Sequence, residues 1–273
     1  MHYGIDFGAN AWRSDGGVSL PEERAQLDAA FAHLAASGIG YVRWFLLCDG
    51  RAGIEFDARG CPVGPDRYLF RDIDAALETA RRHQIQVMFV LLDFLWCDAA
   101  RVVRGVQMGG RSHVLQDPGQ RHALLDTVLG PLLERYGTDP SIFAWDIINE
   151  PEWIKTLAAE EIHAFLAGAV SLAHVSARQP VTVGSAGTRW RSRYTDLGLD
   201  FYQVHWYDGL KHQPPLDTPV SRMDFDRPVL LGEFPTRGSH RSPAEIVETA
   251  RAAGYSGAFY WSVLSKDDRS RSG

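Results

Sequence analysis

Lysine is almost absent from this chain, and cysteine and methionine are scarce. The 273 residues include three lysines, three cysteines and four methionines, so arginine supplies nearly all of the positive charge. The net charge is −6 and no basic run lies along any predicted helix, so the sequence offers no basic surface for nucleic acid or for acidic lipid. We therefore predict neither a nucleic-acid partner nor a membrane partner, and expect a neutral polymer or a small molecule as ligand.

The few cysteines and the opening residues carry little information about location. Cys48, Cys61 and Cys97 are an odd number and lack the spacing of a metal site, which predicts free thiols and no metal. No cofactor is implied. The opening residues have no basic segment and no apolar run of signal length, so we expect a cytoplasmic chain unless a signal was removed beforehand.

Apolar runs of strand length alternate with helical patterns along the whole chain, and no linker interrupts them. Strands are predicted at residues 3–11, 41–47, 86–94, 143–150, 181–184, 201–207, 229–234 and 258–263. Helices are predicted at residues 21–37, 70–83, 120–136, 158–176 and 242–253. We expect residues 1–273 to form a single domain, because barrels of alternating strands and helices run to roughly 250 residues as one unit.

The alternation of helices with parallel-type strands predicts an α/β fold, and eight strands favour closure into a (β/α)8 TIM barrel. The alternative is an open doubly wound sheet, but the first strand is not followed by the Gly-rich phosphate turn that such folds usually carry. Residues 264–273 have no apolar face from which to build a helix. The helix that should cover the last strand is therefore expected to be missing or shortened.

Two carboxylates end apolar strands and are the strongest functional signal. Glu150 closes the run IFAWDIINEP, and Glu233 closes RPVLLGEFPT. A carboxylate at the end of a buried strand carries a desolvation cost that packing does not require, so its position indicates chemistry. Two such carboxylates are the catalytic residues that most enzymes need to hydrolyse a glycosidic bond.

Strand parity brings further polar and aromatic residues to the same end of the barrel. Residues two apart share a face of a strand, so Arg43, His205, Tyr207 and Trp261 have the inward phase near the carboxyl ends of their strands. Barrel enzymes build their sites on that face. A lone His or Arg in such a position is as well explained by a core histidine or a structural ion pair, but the combination points to one site.

Together these residues resemble a known family over nearly the whole chain. Arg43, the triplet Asn149-Glu150-Pro151, the run His205-Trp206-Tyr207, Glu233 in LGEF and Trp261 are similar to glycoside hydrolase family 5, once called cellulase family A. That family belongs to a clan of retaining barrel glycosidases. The resemblance implies an O-glycosyl hydrolase that acts on a β-linked oligosaccharide or polysaccharide, with β-mannan or β-glucan as substrate and endo or exo action left open.

The same resemblance implies a role for each matching residue. Glu150 would be the general acid/base and Glu233 the nucleophile of a two-step mechanism. Asn149 would bind the sugar 2-hydroxyl, Arg43 and Tyr207 would hold the nucleophile, His205 would line the subsite, and Trp261 would form its aromatic floor. A guanidinium beside Glu233 favours its charged form, whereas an apolar setting near another anion favours protonated Glu150.

One position departs from the family pattern. Members often carry a histidine after the third strand, in a motif like LDLH, and this chain has LLDFLW with Leu95 at that place. We expect Asp93 or Trp96 to supply the missing contact, and Trp96 to stack on a sugar ring. Trp44 and Trp145 have the opposite parity and are expected to face the helices.

Two other classes of function can be weighed against hydrolysis by a carboxylate pair. A metal-dependent barrel hydrolase would show a His-x-His pair near the first strand, and YGIDFGANA has none. A carbohydrate-binding barrel with little or no hydrolytic activity remains the alternative, although it would be expected to have lost a carboxylate.

Overall fold

A parallel sheet of seven strands organises the computed structural model, which describes residues 7–10, 12–210, 213–264, 267 and 269–270. The order in the sheet is β1-β4-β7-β8-β9-β10-β11, and every neighbouring pair is parallel. Two antiparallel hairpins, β2-β3 and β5-β6, lie outside it. The strands are β1 (Tyr41–Phe45), β2 (Ile54–Phe56), β3 (Pro62–Pro65), β4 (Gln86–Asp93), β5 (Arg101–Val103), β6 (Val106–Met108), β7 (Ile142–Asn149), β8 (Val181–Ser185), β9 (Tyr202–His205), β10 (Val229–Pro235) and β11 (Ala258–Trp261).

All five predicted helices are present, and seven of the eight predicted strands are confirmed. The remaining strand prediction, residues 3–11, lies largely outside the described residues. The helix predicted at 120–136 is divided, since the π-helical turn Leu124–Leu129 separates two α-helices. The helices are α1 (Pro21–Ala36), α2 (Leu69–Arg82), α3 (Ser112–Gln116), α4 (Pro118–Ala123), α5 (Gly130–Tyr136), α6 (Ala159–Ser176) and α7 (Pro243–Ala253).

The sheet curls until its two outermost strands approach each other. Phe45 on β1 and Trp261 on β11 have ring centroids 6.2 Å apart, and Phe143 stacks on Phe259 at 6.2 Å across the interior. In a flat sheet the first and seventh strands would lie roughly 29 Å apart at the usual spacing between strands. The fold is therefore a (β/α)8 barrel, and the open doubly wound alternative is excluded.

Large aromatic side chains fix which face of each strand points inward. Trp44, Phe89 and Trp145 are essentially unexposed and form a continuous contact on the helix side, where Trp44 also meets Phe31 of α1. This confirms the parity predicted for the two tryptophans. Because neighbours along a strand alternate, Arg43 next to Trp44 must point into the barrel.

No helix follows β11 among residues 262–264, 267 and 269–270, as the missing apolar face predicted. Instead Thr236 donates its backbone N–H to the carbonyl of Arg269, and a short antiparallel bridge joins Asp267 and Ser270. Nor does any helix in the described part of the chain have both the length and the apolar character needed to cross a membrane.

Candidate active site

Polar side chains from five strands converge at the carboxyl end of the barrel. Arg43, Asp93, Asn149, His205 and Glu233 belong to β1, β4, β7, β9 and β10, and each is at most 7% exposed. Buried polar groups are costly unless they are paired, so a cluster of this size needs a complete set of partners or a function. The structure thus brings together residues that the sequence placed on separate strands.

Glu233 is held as an anion by its surroundings. Its Oε1 accepts a hydrogen bond from Arg43 Nη1 at 2.6 Å, its Oε2 accepts one from the Tyr207 hydroxyl at 2.8 Å, and His205 Nδ1 lies 3.6 Å away. Burial alone would raise the pKa of Glu233, but the positive charges of His205 and Arg43 and the Tyr207 hydrogen bond together lower it. An ionised carboxylate is the state that a nucleophile requires.

Glu150 occupies a constrained turn immediately after β7. Its backbone is left-handed, with φ 45° and ψ 51°, and its N–H donates to the carbonyl of Gly184 at 2.6 Å. Such a conformation is uncommon for a residue with a side chain and persists only where the surroundings determine it. Oε1 of Glu150 lies 2.8 Å from His205 Nδ1, so the turn and the imidazole together aim the carboxyl group at Glu233.

His205 lies between the two carboxylates and is completely buried. Burial would lower the pKa of its imidazole, but the charge of Glu233 and the hydrogen bond and charge of Glu150 raise it above the ordinary value despite Arg43. His205 therefore serves both carboxylates and is more than a packed core histidine.

The separation of the carboxylates is short. One oxygen of Glu150, one oxygen of Glu233 and one ring nitrogen of His205 lie within 4.8 Å of one another. Retaining glycosidases have carboxyl groups roughly 5 to 5.5 Å apart, whereas inverting ones need about 6.5 to 9.5 Å to admit a water. The close approach of these two oxygens favours a retaining pair over an inverting one.

The same three residues offer three possible ligand atoms for a metal ion. Both oxygens of Glu233 already accept hydrogen bonds, and Arg43 places a full positive charge beside them. A cation would have to displace these donors and would meet the repulsion of the guanidinium. These contacts favour a site held by ion pairs over a metal centre.

The partner of Arg43 that sequence reasoning missed is Asp146. Arg43 donates from Nε and Nη2 to Asp146 Oδ2 at 2.9 and 2.8 Å, and the Gln203 amide donates to the same oxygen at 2.8 Å. Gly184 donates its backbone N–H to the other oxygen at 2.9 Å. Asp146 is unexposed. The sequence did contain a signal, since Asp146 lies inside the apolar run IFAWDIIN. A carboxylate in a buried strand is costly unless a cation pairs with it.

Asn149 links Arg43 to Asp93. Its Oδ1 accepts from Arg43 Nη2 at 2.8 Å, and its Nδ2 donates to Asp93 Oδ2 at 3.1 Å, which leaves one amide hydrogen for a ligand. Asp93 also accepts from the Leu95 backbone N–H at 2.8 Å. Burial raises the pKa of Asp93 well above its usual range, and the negative charges of Glu150 and Glu233 raise it further. The hydrogen bonds from Leu95 and Asn149 lower the pKa but do not cancel this rise.

The two tryptophans predicted to bind substrate have different positions. Trp261 is partly exposed, lines a pocket with Arg43 and Glu233, and donates its indole N–H to Asp267 at 2.9 Å. Trp96 is 0% exposed and donates to the carbonyl of Leu47 at 3.0 Å, so its ring has no face open to a sugar. The expectation that Trp96 stacks on the substrate is thus corrected: it packs beneath the wall of the cleft.

A second residue that the sequence did not reveal is Glu152, two positions after Glu150. Its carboxyl group lies 2.5 Å from Ser185 Oγ and 2.6 Å from the Tyr194 hydroxyl, and Ser185 Oγ lies 2.6 Å from the carbonyl of Gly187. A hydroxyl has one hydrogen, so Ser185 cannot donate to both Gly187 and Glu152. Burial raises the pKa of Glu152 above its ordinary value despite these hydrogen bonds, so both observations favour a protonated Glu152.

Glu152→Gln is therefore expected to keep activity within about threefold and to lower the free energy of unfolding by about 1 kcal/mol, because an amide nitrogen at the position of Oε1 can donate to Ser185 but, unlike a protonated carboxyl oxygen, cannot accept from Tyr194. Glu152→Ala should lower the free energy of unfolding by about 1–3 kcal/mol for each hydroxyl left without a partner. Thermal unfolding and hydrolysis rates of both variants check this. Equal destabilisation by Gln and Ala would show that Glu152 is ionised.

Comparison with known proteins gives relatives of one kind, although no protein-family model matches the chain. The mannan endo-1,4-beta-mannosidase of Mytilus edulis is 27% identical over 311 aligned residues, covering 96% of this chain and 81% of the relative. The corresponding enzyme of Cryptopygus antarcticus is 24% identical, covering 97% of this chain and 78% of the relative.

Solved structures agree with the fold. The endo-1,4-beta-mannanase of Eisenia fetida has a TM-score of 0.83 at 22% identity, covering 99% of this chain and 84% of that one. The beta-mannanase of Mytilus edulis has a TM-score of 0.80 at 25% identity, covering 98% and 85%. These similarities do not favour the alternative of a carbohydrate-binding barrel with little or no hydrolytic activity. They confirm the predicted resemblance to glycoside hydrolase family 5 or a close relative in its clan, and with it the prediction of a glycosidase.

Proposed function

We propose that this chain is a retaining hydrolase of β-1,4-linked mannan that cleaves within the polymer, with Glu233 as nucleophile and Glu150 as general acid/base. The observation that carries the proposal is the short separation of two carboxylates in unlike settings, one of which is ion-paired with Arg43. The names of the relatives support mannan over glucan, and internal over terminal cleavage.

The first step forms a covalent intermediate. Glu233 attacks the anomeric carbon while Glu150 transfers a proton to the departing glycosidic oxygen, so the leaving sugar departs as a neutral alcohol. Arg43 and Tyr207 donate to Glu233 from two directions, which leaves the carboxylate oriented before substrate arrives. The remaining amide hydrogen of Asn149 is available to the sugar 2-hydroxyl.

The second step releases the sugar. Glu150, now deprotonated, takes a proton from a water molecule that attacks the same anomeric carbon and displaces Glu233. His205 touches both carboxylates and stabilises the negative charge as it moves between them. Two inversions at one carbon give net retention. Trp261 lies at the carboxyl end of the barrel, where its ring would provide the apolar floor beneath the sugar.

The stereochemical outcome tests this proposal. During the first minutes of hydrolysis of β-1,4-mannohexaose, proton NMR should show the β-anomer of the new reducing end, before mutarotation mixes the anomers. Hydrolysis should persist in the presence of a chelator. Initial formation of the α-anomer would refute retention, loss of activity with the chelator would favour a metal site, and binding without hydrolysis would favour the non-catalytic alternative.

A further inference from the structure

Two buried polar atoms beside the catalytic residues have no partner in the network described above. Among the described residues, nothing forms a hydrogen bond with Nε2 of His205 or with Oε1 of Gln203, although His205 is 0% and Gln203 1% exposed. Buried polar groups are rarely left without a partner, and the exceptions often have a functional reason. Both residues belong to β9 and are two positions apart, so their side chains share the inward face of that strand.

Both atoms face the same small space next to Gly232 on β10. A Cβ atom added to Gly232 would lie 2.7 Å from Gln203 Oε1 and 3.0 Å from His205 Nε2. The first distance is shorter than side-chain carbons tolerate. Glycine at this position therefore leaves the room in which the amide oxygen and the edge of the imidazole lie side by side.

The orientation of the Gln203 amide is fixed at its other end. Its Nε2 donates to Asp146 Oδ2 at 2.8 Å, and the same oxygen accepts from Nε and Nη2 of Arg43. If the amide were reversed, its oxygen would face an ion-paired carboxylate oxygen, and the two acceptors would repel each other. Asp146 thus determines that the amide presents its oxygen, and not its NH₂ group, to His205.

We propose that Gln203 is a positioning residue that fixes a hydrogen on Nε2 of His205, so that Nδ1 is the ring nitrogen that shares a proton with Glu150. An oxygen acceptor beside Nε2 favours the ring form that carries a hydrogen there over the form with a lone pair there. Nδ1 lies 2.8 Å from Glu150 Oε1, so a proton between these two atoms can lie on either of them. The inference rests on the proposed function, because it concerns the proton that Glu150 gives to the leaving group.

Gln203 should thereby keep the acid/base protonated to a higher pH. When the pair of Glu150 and His205 loses its shared proton, the neutral imidazole must present a lone pair to one of its neighbours. A hydrogen on Nε2 leaves the Nδ1 lone pair facing the Glu150 carboxylate, whereas a hydrogen on Nδ1 leaves the Nε2 lone pair facing the Gln203 oxygen. Both arrangements are repulsive, so the pair holds its proton more strongly.

Other charged and titratable groups surround the pair. Burial and the charge of Arg43 lower the pKa of the His205 imidazole, and the charges of Glu233 and Glu150 outweigh them and raise it. The groups that face the pair are Arg43 on β1, Asp93 on β4, Tyr207 after β9, Glu233 on β10 and, through Gln203, Asp146 on β7. All of these are retained when Gln203 is substituted, so a change in the pH profile reports the contact between Gln203 and His205.

Two substitutions at Gln203 should affect the alkaline limb of the pH profile differently. Gln203→Met removes the acceptor beside Nε2, so the alkaline limb of kcat/KM for β-1,4-mannohexaose should move to lower pH by about one unit. Gln203→Glu keeps an oxygen acceptor there, so the limb should stay at its wild-type position or move to higher pH. Both variants alter the hydrogen bond to Asp146, so a purely structural role would not separate their limbs.

Equal shifts of the limb in both variants, or no shift in Gln203→Met, would overturn the inference. Gln179→Met is the matched control. Gln179 lies just before β8, accepts from the Trp145 indole and donates to the backbone carbonyls of Tyr136 and Asp139. Its substitution should lower the Tm without moving the alkaline limb.

Nitrogen NMR of protein with isotope-labelled histidine tests the ring form without any substrate. In the wild type, Nε2 of His205 should keep its hydrogen while Nδ1 titrates, and in Gln203→Met the hydrogen should move to Nδ1 when the pair loses its proton. The signals of His205 are those absent from His205→Asn. An Nε2 without hydrogen in the wild type at neutral pH would refute the inference. A protonated Nε2 in a protein that hydrolyses no mannan would support it and refute the proposed function.

Discussion

Glu233→Ala should lower kcat for mannohexaose by at least about 10⁴-fold, which is the scale on which removal of a covalent nucleophile acts. The loss is expected in the chemical step, because Glu233 has a carboxylate oxygen within 4.8 Å of one of Glu150 and is paired with the Arg43 guanidinium that holds it ionised. Steady-state kinetics on an aryl β-mannobioside measure it. The substitution also removes a buried anion from Arg43, so folding must be verified by thermal unfolding.

Rescue by a small anion makes this experiment specific to a nucleophile. Azide can enter the space vacated by the carboxylate and attack the anomeric carbon, giving a glycosyl azide of α configuration. Glu134→Ala, which removes an exposed carboxylate from α5, is the matched control and should behave as wild type. Residual activity of Glu233→Ala above about 1% of wild type, without azide, would contradict the assignment.

Arg43→Ala should have the second largest effect, on both stability and activity. Arg43 is the cation shared by Glu233 and Asp146, so its removal leaves two buried carboxylates without the guanidinium that neutralises them. Breaking a buried pair in this way costs about 3–5 kcal/mol. Activity should fall roughly 10³-fold, since preorganised charges act strongly where water is excluded. Arg59→Ala, at a side chain 88% exposed beside Asp57, is the control and should change neither property.

The effect of Arg43→Ala should depend on pH in a defined direction. Because the pKa of Glu233 is lowered in the folded protein, its ionisation stabilises the fold above the unfolded-state pKa of about 4.3, and this contribution is lost as the pH falls. The difference in Tm between wild type and variant should therefore be largest above about pH 5 and shrink as the pH falls below about 4. The acid limb of the pH–activity profile should move to higher pH. A difference in Tm that is constant with pH would contradict this account.

The barrel and the catalytic pair could be predicted because both follow from local regularities. Strand parity placed Arg43 inside and Trp44 outside, and each was found there because neighbours along a strand cannot share a face. Glu150 and Glu233 were conspicuous because each ends a run of buried apolar residues. Such features are properties of single segments, so they require no knowledge of which strands are neighbours.

What could not be predicted depends on contacts between segments. The choice of Trp96 as a sugar platform failed because its exposure is set by Leu47, nearly fifty positions away, which accepts its indole hydrogen bond. Asp146 was overlooked because its cation lies on β1, and Glu152 because its partners Ser185 and Tyr194 come from β8 and the segment after it. Sequence spacing does not reveal these partners.

The position of Arg43 couples the site to the order of folding. Arg43 binds Asp146 at a sequence separation of 103 residues and Glu233 at a separation of 190, so no short segment of the chain contains a working nucleophile with its cation. Contacts this far apart in sequence form late, since loop-closure entropy must be overcome before they stabilise anything. During refolding, the rate of substrate hydrolysis should recover later than the circular dichroism signal of the helices. The recovery of hydrolysis would then report when the barrel closes.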